Sequence, residues 1–180
     1  MLLDVDYGTY PFVTSSSCTC LGMPAARRVG VAKTYMSRVG EGPFPTEMRG
    51  QPAEHLRALG EEYGTSTGRP RRVGCLDLVA LRHAVRAAAV TEIALTGIAV
   101  LERLASFRLA TTYRLDGQIT TRFPASAAAL GRVEPIIEDL PNAEALVKRI
   151  EAEVAPVSFV ALGRSREELV ERGNNVRPAG

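Results

Sequence analysis

Leu76-Asp77-Leu78-Val79-Ala80-Leu81-Arg82-His83-Ala84-Val85-Arg86-Ala87-Ala88-Ala89-Val90, followed after Thr91-Glu92 by Ile93-Ala94-Leu95-Thr96-Gly97-Ile98-Ala99-Val100, decides the fold class. In the first part Leu76, Val79, Ala80, Ala84, Ala87 and Ala88 make an apolar stripe, which predicts a helix over 76–90. Asp77 stands near its start, where the helix dipole favours an acid. Arg82, His83 and Arg86 mark a polar side, read as a solvated basic face. The second part, Ile93 to Val100, reads as a strand. A helix handing over to a strand so quickly is the signature of an α/β unit.

The flanking sequence repeats the alternation. Ala105–Arg114 and Gln118–Phe123 read as a hairpin joined at Leu115-Asp116-Gly117, a strong turn signal. Ala125–Leu130 fits either element. Val133–Asp139 reads as a strand interrupted by Pro135. Asn142–Val154 is a helix capped by Asn142, with Ala145, Leu146, Ile150 and Val154 on one side. Val157–Leu162 is a strand. Ser165 and Glu168 form a capping box for a short helix to about Arg172. The tail 173–180 is polar and reads as frayed.

Toward the other end, Leu2–Asp6 reads as a short buried strand that begins without a lead-in. Either the protein starts inside that strand or an upstream part is missing. Val13-Thr14-Ser15-Ser16-Ser17 is a hydroxyl-rich loop; a phosphate could sit there, although composition alone favours a solvated turn. Arg27–Val39 suits one strand of a covered sheet. Gly40–Thr46 carries two glycines and two prolines and must be a loop. Pro52–Tyr63 fits a helix stopped by Gly64, with Leu56, Leu59 and Tyr63 as its apolar face. His55 on this helix receives no role. The expected class is α/β: a mostly parallel sheet with flanking helices and one antiparallel hairpin, in a single domain over 1–172.

Composition narrows the function. The chain has 180 residues, is 46% hydrophobic and 23% charged, and carries a net charge of +2. That charge is too small for a general nucleic-acid or membrane attraction. Arg69, Arg71 and Arg72 alone are a poor footprint for nucleic acid. No apolar run is long enough to span a bilayer, and the first residues lack a signal-peptide pattern. Cys18, Cys20 and Cys75 form no disulfide or metal framework and read as ordinary thiols of a reducing, cytoplasmic compartment.

The chemistry concentrates in Tyr63-Gly64-Thr65-Ser66-Thr67-Gly68-Arg69-Pro70-Arg71-Arg72. Glycines permit sharp turns and close backbone approach. Hydroxyls and arginine forks hold carboxylate or phosphate oxygens. The stretch reads as a loop for small anions.

Three segments then resemble the adenylosuccinate synthetase family, in the family's order. They are Leu2–Ser16, Arg38–Glu47 (Arg-Val-Gly-Glu-Gly-Pro-Phe-Pro-Thr-Glu) and Glu62–Asp77, which contains the anion loop. Val133–Ile136, Arg149–Glu151 and Ala161–Gly163 match more weakly. The resemblance covers nearly the whole chain but only about the second half of the enzyme. It implies a partial domain of that family's fold, related to P-loop NTPases. It also implies the family reaction, a carbon–nitrogen ligation in AMP biosynthesis: IMP, L-aspartate and GTP, with Mg2+, give adenylosuccinate, GDP and phosphate. A homodimer, or a chain supplying the missing N-terminal half, is the implied partner.

Residue by residue, the resemblance assigns Thr14 to the nucleotide phosphate and Val39 and Gly40 to the backbone near its ribose. It assigns Thr65, Ser66, Thr67, Gly68, Arg69 and Arg71 to the aspartate loop. Ser66 and Thr67 would meet carboxylates, Arg69 aspartate and ribose, and Arg71 aspartate and the GTP side. The GTP-side positions Gly97, Ala99 and Gly163 are degraded. Gly97 and Ala99 stand where the family reads guanine with Lys and Asp, and Ala161-Leu162-Gly163 replaces its Ser-Thr-Gly. Pro70 breaks the arginine run and Cys75 stands for a Trp. The glycine-rich phosphate segment, the general base and the catalytic histidine belong to the family's first half, so no catalytic residue is expected here and no metal ligand. The chain alone is expected to be inactive. A non-catalytic binding or interaction module, a relic or half of a split enzyme, is the alternative.

Overall fold

The computed structural model describes residues 27–163 and 165–172. The expected strand at Leu2–Asp6, the hydroxyl loop with Thr14, Cys18 and Cys20, and the tail 173–180 lie outside the described residues. In chain order the elements are β1 Val29–Lys33, β2 Tyr35–Arg38, α1 Gly50–Gly60, β3 Arg72–Asp77, α2 Leu78–Ala87, β4 Glu92–Thr96, α3 Ile98–Leu104, β5 Phe107–Leu115, β6 Gln118–Thr120, α4 Ala127–Leu130, β7 Glu134–Leu140, α5 Ala143–Glu153 and β8 Val157–Ala161, then a 3-10 turn Arg166–Glu168 and β9 Leu169–Glu171.

Two sheets share these strands. A four-stranded sheet runs β1-β4-β8-β9, with β1, β4 and β8 parallel and β9 antiparallel. A five-stranded sheet runs β2-β3-β5-β6, with β7 on β5. Here β3 and β5 are parallel and the other pairs antiparallel. The expected α/β class, parallel sheet, flanking helices and hairpin are all present. Antiparallel pairing extends beyond the hairpin to β2, β7 and β9.

Local chemistry explains the elements read correctly. Asn142 caps α5 by accepting from the Ala145 N–H at 2.9 Å. Asp116 and Gly117 take φ 50° and 83°, the paired left-handed conformation a tight hairpin turn requires. Pro135 is tolerated because β7 pairs only with β5 among the described residues, as an edge strand should.

Four boundaries differ from the sequence reading. Arg27–Val39 is two strands, because the chain changes sheets at Thr34: Lys33 pairs with Thr96, whereas Tyr35 pairs with Cys75. Leu76 lies within a strand instead of starting a helix. The run Val73–Asp77 is buried throughout, the mark of a strand covered on both faces. Helix α2 therefore starts at Leu78, with Asp77 as its cap on Ala80 N–H at 3.0 Å. Its buried residues are Leu78 and Val79, while Ala84 is exposed. Strand β4 stops at Thr96, because Gly97 turns left-handed (φ 85°) and opens α3. Helix α1 ends at Gly60, with Glu61 left-handed (φ 52°), so Tyr63 lies outside it.

The Ser165–Glu168 capping box forms, but around a single 3-10 turn that passes directly into β9. The ambiguous stretch is resolved as helix α4, capped by Ser126. The solvated basic face is partly engaged. Arg82 donates to Glu153 at 2.8 Å and to the Thr111 carbonyl at 2.6 Å, and His83 stacks on Phe123.

The main core joins α1, α3 and α5 to one face of the four-stranded sheet through Leu56, Ile98, Leu101, Leu146, Ile93 and Leu95, and includes Val73 and Leu76. Among the described residues no helix is long and apolar enough to cross a membrane.

Gly74 fixes how the 40–47 loop reaches this core. A Cβ there would stand 2.3 Å from the Thr46 carbonyl oxygen, a backbone atom with nowhere to retreat. The Met48 N–H donates to the Val73 carbonyl at 2.9 Å across the same contact. Gly74→Ala should therefore lower stability by about 1–3 kcal/mol, the usual cost of overpacking. A urea midpoint unchanged from the parent would refute this close contact.

Candidate functional site

The anion loop is built as a tight reversal on a paired base. Tyr63 and Pro70 face each other in an antiparallel bridge. The Arg71 N–H donates to the Glu62 carbonyl at 2.9 Å on one side of that pair, and the Gly64 N–H to the Arg69 carbonyl at 2.8 Å on the other. Tyr63 and Pro70 thus form a non-hydrogen-bonded pair, where the missing proline N–H costs nothing. The Gly68 N–H donates to the Gly64 carbonyl at 2.8 Å, and Gly68 is left-handed at φ 62°. A Cβ on Gly64 would meet Thr67 Oγ1 at 2.8 Å. The loop is therefore locked by its own backbone. Thr65, Ser66, Thr67 and Arg69 stand exposed at its tip. The Arg69 N–H donates to Thr67 Oγ1 at 3.3 Å, and the Arg69 guanidinium makes no ion pair among the described residues.

Beneath the loop lies a buried carboxylate that the sequence reading passed over. Glu62 is 1% exposed. It accepts from Lys33 Nζ at 2.5 Å, Tyr35 Oη at 2.8 Å and Arg71 Nη1 at 3.1 Å. Burial pushes its pKa up, but the Lys33, Tyr35 and Arg71 donors outweigh burial and hold it below the ordinary 4.5. One side chain thus joins the exit of α1, the end of β1, the start of β2 and the base of the loop. Arg71 is committed to this cluster, and its Nε is buried without a partner. The only sequence signal for Glu62 was its place within the family-like segment. Lys33 and Tyr35 looked like ordinary strand residues.

Arg72 turns away from the loop. Its guanidinium grips Glu47 in two bonds of 2.7 and 2.8 Å and donates to the Gly40 and Gly42 carbonyls at 3.2 and 2.8 Å. Arg38 donates to the Glu41 and Pro43 carbonyls at 2.6 and 2.7 Å. Together they hold the 40–47 loop against β3. Because Arg38 pairs with Arg72 across β2 and β3, exposed Val39 and left-handed Gly40 lie beside the base of the anion loop.

The GTP-side positions gather elsewhere. Lys33, Thr96 and Ala161 end the neighbouring parallel strands β1, β4 and β8, so Gly97 and Gly163 follow the same sheet edge. Ligands commonly bind outside such carboxyl ends. Gly97 also sits against the Glu62 cluster, since a Cβ there would lie 3.0 Å from the Tyr35 ring. Ala99 lies in the first turn of α3. None of these side chains can accept guanine N–H donors. At Gly163 a Cβ would fall 2.1 Å from the Glu168 carboxylate, which is turned back to receive the Ser165 N–H at 2.9 Å. The residues present do not fit guanine recognition. No group of three or more His, Cys, Asp or Glu suited to a metal exists among the described residues. Cys75 is a free thiol, and burial pushes its pKa up to about 11.

Among the described residues lie open grooves of 690 and 610 Å3. They flank α1 and α5, and no expected site residue lines either. The structure thus brings Thr65–Arg71, Val39 and Gly40 together and links Gly97 to them through Tyr35. Thr14 lies outside the described residues.

The α/β domain thus presents a backbone-locked loop of hydroxyls together with Arg69, whose guanidinium makes no ion pair among the described residues. The sequence model described as adenylosuccinate synthetase matches residues 1–170. The chain belongs to the adenylosuccinate synthetase family. It is 41% identical to the adenylosuccinate synthetase of Limosilactobacillus fermentum, over 94% of this chain and 46% of that protein. It is 42% identical to that of Chlorobaculum parvum, over 94% and 45%. The solved structure of fully ligated adenylosuccinate synthetase from Plasmodium falciparum superposes with a TM-score of 0.82 at 29% identity, covering 94% of this chain and 47% of that one. The chain thus spans about half the length of the curated relatives it matches.

Glu62 gives this site a pH signature. Its folded pKa lies below the unfolded 4.5, so its contribution is complete above that pH and lost as the pH falls through the folded value. Glu62→Gln should lower stability near pH 7 by about 1–3 kcal/mol, less than a fully buried pair because Lys33 and Arg71 remain partly in water. It should also flatten part of the loss of stability as the pH falls below the unfolded value of 4.5. Parallel stability–pH curves for the two proteins would contradict the assignment.

Proposed function

We propose that this chain provides the aspartate- and IMP-holding side of an adenylosuccinate synthetase. The family reaction joins IMP and L-aspartate with GTP to give adenylosuccinate, GDP and phosphate, in AMP biosynthesis. One observation carries the reading: in a member of this family, the Gly64–Arg69 loop is locked by its own backbone while Thr65, Ser66, Thr67 and Arg69 face outward.

The hydroxyls of Ser66 and Thr67 donate to the aspartate carboxylates. Arg69 supplies a charge-assisted fork to the same ligand and reaches the ribose. Arg71, held by Glu62, braces the loop and offers its remaining face to aspartate. Val39 and Gly40 lie along the ribose, and Thr14 takes the nucleotide phosphate. In the family GTP and Mg2+ drive phosphoryl transfer. The Gly97, Ala99 and Gly163 positions supply no base reader for that nucleotide, so no step is assigned to them. We place the protein in the cytoplasm, with a homodimer or a chain carrying the complementary half as its assembly.

A second reading has its own support. The bare Gly97 and Ala99 positions fit a non-catalytic binding module in which the aspartate loop outlived nucleotide use.

Calorimetry tests the proposal. L-aspartate and IMP should each bind the 180-residue chain at millimolar affinity or tighter. Arg69→Ala should weaken aspartate at least tenfold without moving the melting temperature, because the Arg69 side chain is exposed and makes no ion pair among the described residues. Absence of binding by either ligand removes the proposal. In a coupled assay with IMP, aspartate, GTP and Mg2+, the chain alone should form no adenylosuccinate. Turnover by the chain alone would show that catalytic groups were overlooked.

A further inference from the structure

Glu62 divides its two oxygens between two tasks. Oε1 accepts from Lys33 Nζ at 2.5 Å and from Tyr35 Oη at 2.8 Å, at the end of β1 and the start of β2. Oε2 accepts from Arg71 Nη1 at 3.1 Å. Tyr35 reaches the carboxylate because Gly60 has no side chain: a Cβ there would stand 2.6 Å from the Tyr35 hydroxyl. The Tyr35 ring also lies against Gly97, where a Cβ would stand 3.0 Å from it. Tyr35 is thus buried between two glycines, and the carboxylate that it holds has little room to turn.

Among the described residues Glu62 is the one side chain that fixes the Arg71 guanidinium. Arg71 Nε is buried without a partner, and Nη2 has none among those residues either. Other arginines of this chain are gripped by two nitrogens. Arg27 holds Glu92, and Arg72 holds Glu47, each through Nε and Nη2. Arg71 is held at one corner instead, and its side chain is 31% exposed. Attachment at one corner leaves guanidinium donors for a second carboxylate. Charge agrees with this: Lys33 and Arg71 share a single carboxylate, which leaves positive charge in excess beneath an anion loop.

From this arrangement we infer that Glu62 and Tyr35 are positioning residues for the amino-acid substrate: they set the Arg71 guanidinium so that its remaining donors meet a carboxylate of L-aspartate. The inference rests on the aspartate reading of the loop. Both residues are too buried to touch the ligand and act through Arg71 alone. A side chain set in place before binding loses little rotamer freedom when the ligand arrives. Removing its support therefore weakens the ligand although no ligand contact is deleted. A merely structural role would weaken every ligand of the site alike.

Calorimetry on the full 180-residue chain, with L-aspartate and with IMP, tests the inference. Glu62→Gln keeps the shape of the side chain but removes the charge that holds Arg71. It should weaken L-aspartate about fivefold or more and leave IMP within about twofold. Tyr35→Phe keeps that charge and removes only the hydroxyl. It should weaken L-aspartate by about twofold to fivefold, and it carries the test if Glu62→Gln does not fold. In an Arg71→Met background, Glu62→Gln should cost no further aspartate affinity, because the group it acts through is gone. Equal losses of aspartate and IMP affinity would overturn the inference, as would an undiminished effect in the Arg71→Met background. Aspartate affinity unchanged in both Glu62→Gln and Tyr35→Phe would also overturn it. In each of these cases the parent chain still binds aspartate, so the functional reading stands. A parent chain that binds no aspartate removes both.

Discussion

The Glu62 carboxylate is the point on which the candidate site depends. A charge this deeply buried would cost several kcal/mol if left unpaired. Lys33, Tyr35 and Arg71 converge on it instead, and its pKa falls although burial alone would raise it. Convergence brings parts of both sheets to one place, since Lys33 ends a strand of one and Tyr35 starts a strand of the other. The anion loop rises directly from this clamp. Its base is rigid because Glu62 holds it by both main chain and side chain.

Rigidity below frees the tip above. The three arginines of one short segment are divided among different tasks. Arg72 is spent on Glu47 and the carbonyls of the 40–47 loop. Arg71 braces the loop against Glu62. Arg69 stands exposed at the tip and makes no ion pair among the described residues. Geometry explains the division: successive residues of an extended segment point to opposite sides, which separates Arg71 from Arg72, and Arg69 lies beyond the Tyr63–Pro70 bridge at the exposed tip. Gly74 completes the arrangement by admitting the Thr46 backbone at a distance no side chain would permit.

The nucleotide side contrasts with this order. Gly97 and Gly163 follow the carboxyl ends of neighbouring parallel strands, where the fold favours ligands. Position alone does not read a base; that requires a carboxylate or amide, and neither residue brings one. Family membership and the chemistry of an individual chain are therefore separate matters.

The sequence by itself determined the α/β class, the hairpin at Asp116-Gly117, the capped helix after Asn142, the composition of the anion loop and the family. Each of these is a local signal: a turn that needs positive φ, a cap, a periodic stripe, a run of residue types. It did not reveal that Arg27–Val39 divides between two sheets, that Val73–Asp77 is a buried strand, or that Ile98–Val100 is helical. Short apolar runs look alike whether helical or extended, and only the partner strands decide between them. Nor did it single out Glu62. Only the tertiary structure brings Lys33 and Tyr35 onto that carboxylate beside Arg71, because residues 29 and 27 positions away cannot reveal their contact through local pattern.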